Sequence, residues 1–274
     1  MNADVAAPAD GPPGQLADYE LDRLLERDQV SYRFLAPPPA RLGVSDEWVE
    51  VIVTAESDDV THDRLVEDLA AVAALRDPHV VTLHDIGRDA GWTFVSVEHS
   101  PSGTLARPAR QPERSHWVRA VADAARGAHA LHEIGLAHGA ITPGAVVLSS
   151  DGGKLSAPSF AAGGHNSSSS TVAVVTGIGF VDPAAMRGEI PERSAEVFAL
   201  GAVLHWAVSG RTVHPGVDTM EGPDAIRELL RREAQVDPSI DPDTAAVIAR
   251  LVDPDVLQRV RTADEAAELI GTLT

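Results

Sequence analysis

The hydrophobic period of the chain changes once, near Pro101-Ser102-Gly103, and that change confines the sequence to a β-rich lobe followed by a helical one. Before it, residues 48–54 (WVEVIVT) alternate with period two, and residues 31–35 form a second strand-like run ahead of Pro37-Pro38-Pro39. Short strands are predicted at 80–84 and 92–98. Residues 62–75 have helical spacing, with Leu65, Leu69, Val72 and Ala73 on one face. Beyond a hinge at 98–103, residues 115–134 read as a long Ala-rich helix with Ser115 as N-cap and Gly135 just past its end. An irregular stretch, 137–159, precedes further helices at 192–209 (buried), 223–233, 242–251 and 263–273. The expected class is α+β: a small antiparallel β lobe with one main helix, and a larger helical lobe.

With 44% hydrophobic but only 4% aromatic residues, the core of this 274-residue chain must be built from Ala, Val and Leu. A formal charge of −19, from 41 acidic against 22 basic residues, repels phosphate backbones and anionic lipid, so no nucleic-acid partner is expected. The chain has no cysteine, which excludes disulfides and Cys-ligated zinc. Residues 1–16 are rich in Ala, Pro, Gly and Asp and read as a disordered leader without signal-peptide features. The longest apolar stretch, about 198–208, is interrupted by His205 and falls short of the ~20 residues a membrane span needs. The expectation is a soluble, cytoplasmic protein without direct membrane insertion, divided at 17–100 and 101–274.

Six strings then occur in a meaningful order: YELDRLLERDQVSYRFLA (19–36), LRDPHVVTLHDIG (75–87), FVSVEHSPSGTLA (94–106), ALHEIGLAHGAITPGAVVL (130–148), AEVFALGAVLHWAVSG (195–210) and RVRTADEAAEL (259–269). Together they resemble bacterial, actinobacterial-type Ser/Thr protein kinases over nearly the whole chain. The resemblance implies the two-lobed protein-kinase fold, with an N-lobe at 17–100 and a C-lobe at 101–274.

It also assigns positions. The family's glycine-rich loop covers ATP phosphates because glycine lets backbone N–H groups approach closely. Here those three positions are Glu26, Asp28 and Ser31. At about 5 Å and an effective dielectric near 20, each carboxylate–phosphate charge pair costs roughly 3 kcal/mol. The strand position of the phosphate-pairing lysine (V-A-I-K) is Ile52, and no other Lys or Arg lies in that strand. Helix C offers Glu67 or Asp68 as the acid that would pair with the lysine. The catalytic loop H-R-D-x-K-P-x-x-N reads His138-Gly139-Ala140-Ile141-Thr142-Pro143-Gly144-Ala145. The base is thus Ala140, the steering lysine Thr142 and the metal-binding asparagine Ala145. D-F-G reads Ala157-Pro158-Ser159, and the A-P-E glutamate is Ala184. The arginine that pairs with that glutamate is Arg259, for which Asp182 or Glu189 is the expected substitute partner. Hinge Glu98 is retained.

His138 survives, and a structural role outweighs a catalytic one because no base or nucleophile lies near it in sequence. His129 and His132 lie three apart on one helix but lack a third metal ligand at matching spacing. Ser167, Ser168, Ser169, Ser170, Thr171 and Thr176 fall where kinases carry the activation segment. They read either as a flexible linker or as a cluster of phosphoacceptors. The reading that follows is a pseudokinase: not an enzyme, without cofactor or metal, a regulatory or scaffold domain working through protein partners. Those partners are an active Ser/Thr kinase, which would phosphorylate it, or a phosphothreonine-reading domain. The alternative is a divergent Ser/Thr kinase or a nucleotide-binding sensor with weak ATP binding.

Overall fold

A computed structural model describes residues 11–27, 31–55, 59–158, 177–189, 192–220 and 222–274. The described residues through Arg76, together with Val81–His99, form one compact unit. Asp77–Val80 and the described residues from Ser100 onward form a second. The α+β class expected from the periodicity is the class observed. Among the described residues, no helix is long and apolar enough to cross a membrane.

The first unit is built on a five-stranded antiparallel sheet in the order β3-β4-β5-β7-β6: β3 Arg23–Arg27, β4 Ser31–Ala36, β5 Val49–Ala55, β6 Leu83–Asp89 and β7 Trp92–Glu98. Alternation along β5 sends Val49, Val51 and Val53 into a core with Leu35's neighbour Ala36, Trp92 and Phe94. A two-stranded hairpin, β1 Gln15–Leu16 with β2 Tyr19–Glu20, adds the fully buried Leu16 and Tyr19 to that core. Gln15 and Leu16 fall within the stretch read as a leader, and the buried Leu16 is an apolar anchor there. The Tyr19 hydroxyl donates to Asp85 (2.9 Å), and Arg41 bridges Asp85 and Asp18. Helix α1, Asp59–Leu75, buries Leu69 and Val72.

The strand expected at 80–84 lies at 83–89 instead. Its polar sequence (LHDIGRD) hides it from a periodicity argument, and the turn sets it. Ala90 and Gly91 both have positive φ, +50° and +81°, the signature of a two-residue type I′ hairpin that locks Asp89 opposite Trp92.

The second unit is helical. Helix α2, Arg114–Glu133, starts at Glu113 rather than Ser115, and Trp117 Nε1 donates to Pro112 O (2.8 Å) across that turn. Its small residues permit close neighbours: a Cβ on Gly127 would lie 2.4 Å from His79 O. Gly127→Ala is expected to cost 1–3 kcal/mol by overpacking, measurable by urea denaturation. The hairpin β8 (Val146–Leu148) and β9 (Gly153–Leu155) follows. Asp182 caps the short α3, Pro183–Met186, by accepting from Ala184 N. Helix α4, Glu192–Ser209, is buried from Glu196 through His205. Helix α5, Gly222–Leu229, ends earlier than the expected 233, because Gln235 N donates to Val213 O (2.8 Å) and draws the chain away. Helices α6, Pro242–Leu251, and α7, Ala263–Gly271, are capped by Asp241 and Thr262.

Candidate functional site

In the second unit, residues 138–145 form a loop fixed from both ends. Glu196, on α4, is buried, and each of its carboxylate oxygens is used. Oε1 accepts from Gly139 N (2.6 Å), and Oε2 meets His132 Nε2 (2.7 Å). His132 thus belongs to a strut and not to a metal pair with His129.

His138 Nδ1 accepts from Ala140 N (3.3 Å), so in the neutral ring Nε2 carries the proton and donates to Ser156 Oγ (3.0 Å). The Ser156 hydroxyl then donates to Ala157 O (3.3 Å). This orientation cannot activate Ser156 as a nucleophile, because the facing nitrogen has no lone pair to take its proton. Burial also pushes the His138 pKa down, keeping the ring neutral. The structural reading of His138 is the one the geometry supports.

The same loop brings together the positions that the resemblance loads with chemistry. Ser156 N donates to Ala145 O (2.8 Å), so Ala145 and Ala157 are neighbours across this bridge, both buried. Neither side chain can bind metal, and among the described residues no three His, Asp or Glu side chains are arranged to hold one. Ala140 and Thr142 are half-buried on the same loop. Ala145 N donates to Thr142 O (2.9 Å), closing the turn.

Arg259, 2% exposed, has the substitute partner expected of it. Its Nη1 donates to Asp182 Oδ2 (2.5 Å) and Ser194 O (3.0 Å), while Nε and Nη2 both donate to Asp253 O. Its guanidinium lies 5.4 Å from the Phe198 ring centre. Glu189 pairs with Arg187 instead (2.8 Å).

Beside this anchor sits a group sequence reasoning passed over. His214 is fully buried and stacked on Phe198, and neither ring nitrogen has a hydrogen-bond partner. Burial lowers its pKa from 6.5 to about 4, against a smaller opposing pull from Asp182. The unfolded chain therefore binds this proton more readily. Stability is full above pH 6.5 and falls as pH drops toward 4, by roughly 3 kcal/mol. His138 and His205, both depressed by burial, act with the same sign. Urea titrations at pH 7 and pH 4.5 should show the loss, and His214→Phe should flatten it. An equal slope in the variant would assign the loss to other groups.

In the first unit, Ile52 is buried on β5, directly opposite Arg33 on β4 and Val95 on β7. The strand itself holds no cation, as the sequence says. Its paired neighbour does, which a strand-by-strand reading misses and the register reveals. Arg33 Nη1 donates to Glu50 Oε2 (3.2 Å), and His99 Nδ1 meets Glu50 Oε1 (2.9 Å). Glu26 stands opposite Arg33, and Ser31 opposite Thr54. Glu98 is tied to Thr82, whose N–H its Oε1 accepts (2.8 Å). Glu67 is exposed, and Asp68 half-buried. Asp28, Ser159 and the Ser167–Ser170, Thr171 and Thr176 cluster lie outside the described residues.

No family model matches the chain. Among curated proteins it is similar to the probable serine/threonine-protein kinase PkwA of Thermomonospora curvata, 26% identical over 88% of this chain and 35% of that protein. It is also similar to the serine/threonine-protein kinase PknK of Mycobacterium tuberculosis, 25% identical over 93% of this chain and 24% of that protein. The serine/threonine-protein kinase PknB of Mycolicibacterium smegmatis is 25% identical over 72% of this chain and 34% of that protein. The chain thus spans between a quarter and about a third of the length of these relatives. These matches correct one expectation. The emptied positions suggested that the chain is not an enzyme, whereas every one of these relatives carries the name of a Ser/Thr protein kinase, which points to a kinase.

Proposed function

We propose that this chain, a distant relative of the bacterial Ser/Thr protein kinases, is a regulatory kinase-like domain that works by binding protein partners. The contrast within one loop carries the reading. Glu196 and His138 hold residues 138–145 in place with buried, fully used polar groups, which are costly to retain unless the loop's shape matters. Yet positions 140, 142, 145 and 157, where the resemblance puts base, steering cation and metal ligands, carry Ala140, Thr142, Ala145 and Ala157. Phosphoryl transfer by this chain would have to draw on groups elsewhere. The proposed partner is an active Ser/Thr kinase or a phosphothreonine-reading domain, with the hydroxyls among Ser167–Ser170, Thr171 and Thr176 as acceptors.

The test uses the chain as bait in its own host, with crosslinking and mass spectrometry, beside a γ-phosphate transfer assay on the same preparation. The expected result is capture of one of those two partner classes, dependent on a folded second unit. Transfer of γ-phosphate to a protein substrate, with neither class captured, would overturn the reading.

A further inference from the structure

Leu257 is 89% exposed, and the next large apolar side chain among the described residues, Leu24, reaches only 49%. The loop that carries it is not slack. Asp253 Oδ1 accepts from Asp255 N (2.9 Å), and Asp255 Oδ1 accepts from Leu257 N (3.0 Å). Asp255 O accepts from both Gln258 N and Arg259 N. The buried Arg259 then clamps Asp253 O with two donors. A wetted leucine on so fixed a backbone is a preformed knob, whose burial costs little ordering entropy. Between Pro254 and Gln258 the one ionisable side chain is Asp255.

The same unit holds a hollow of matching character. A pocket of about 360 Å³ opens beside the end of α4, within the size range of preformed binding pockets. Pro215, Val236 and Pro238 give it apolar walls, and Arg211, whose side chain is 75% exposed, gives it a cation. His205 pins both sides: Nδ1 donates to Arg211 O (2.8 Å), and Nε2 accepts from Asp237 N (2.9 Å). The acid in the wall, Asp237, is already engaged by Arg211 and by Ser239. Knob and pocket lie toward opposite ends of α4. Arg259 reaches Ser194 O in its first turn, whereas the pocket borrows His205 and the Gly210 that follows the helix.

We propose that the chain self-associates head to tail, the Leu257 knob of one copy entering the pocket walled by Pro215 and Val236 of the next, with Asp255 meeting Arg211 of that copy. Because the two surfaces differ, each added copy exposes a fresh knob or a fresh pocket, so assembly does not close as a two-fold dimer. The contact is small and each copy carries a formal charge of −19, so association is weak and transient.

The experiment is analytical ultracentrifugation of the full chain at physiological ionic strength, comparing wild type with Leu257→Asp and Gln235→Trp. The first removes the knob; the second fills the pocket from an exposed lining position. Both changes lie at the surface, and circular dichroism checks that each variant is folded. Wild type should form species larger than dimers as its concentration rises toward about 1 mM, and each variant alone should associate at least about tenfold more weakly. A mixture of the two retains one intact knob and one intact pocket per pair, so it should form heterodimers and stop there. Wild type that stays monomeric, either variant associating like wild type, or a mixture no larger than its components would overturn the proposal.

Discussion

Arg259→Ala should destabilise the second unit by roughly 3 kcal/mol, the cost of breaking a buried pair and leaving one charge uncompensated. The guanidinium is nearly inaccessible and saturated: Asp182, Ser194 O and Asp253 O take its donors, and Phe198 lies beneath its plane. Removing it strands Asp182, 3% exposed, which retains only its bond from Ala184 N. Urea denaturation followed by the fluorescence of Trp117 and Trp206, both in this unit, measures the effect. Adding Asp182→Asn to Arg259→Ala should recover part of the loss, since the stranded group is then neutral. A melting curve for Arg259→Ala that overlays wild type would mean the pair contributes nothing.

The second large effect is expected at Glu196. Glu196→Ala leaves His132 and the Gly139 amide without their buried acceptor, with an expected cost of about 3 kcal/mol or more. It also releases the loop at 138–145. Hydrogen exchange should therefore show the Gly139 region opening in Glu196→Ala well below the denaturation midpoint. Glu196→Gln keeps one oxygen for Gly139 N and should fall between the two. Unchanged exchange at 138–145 in the alanine variant would show that α4 does not hold the loop.

These two carboxylates illustrate what the sequence made legible. Arg259 could be matched to Asp182 because a buried guanidinium demands an acid and Asp182 lies two residues from Ala184. Glu196 was part of a recognised string, yet its double role was invisible, since His132 and Gly139 meet it from 64 and 57 residues away. Helices with clear punctuation were readable to the residue: α6 starts at Pro242 after its Asp241 cap, and α4 spans 192–209 as expected. Segments set by tertiary partners were not. The strand at 83–89 depends on the Ala90-Gly91 turn, and α2 begins before Ser115, where the Ser115 side chain plays no capping part. The pairing of Arg33 with Glu50 was missed for the same reason: it depends on which residues face each other across the sheet.

The inference about activity went wrong differently. Counting emptied positions says which groups cannot act, but not that none elsewhere can, and the named relatives are kinases. What the empty positions do support is a loop valued for shape. The most direct measurement restores the lost groups, as Ala140→Asp with Ala145→Asn, and compares partner capture with wild type under identical crosslinking. If the loop works as a scaffold, capture of the kinase or phosphothreonine-reading partner is the same within about twofold, a difference of roughly 0.4 kcal/mol. If capture instead rises or vanishes once a base and a metal ligand are returned, the partner is responding to chemistry at this loop, and the account is contradicted.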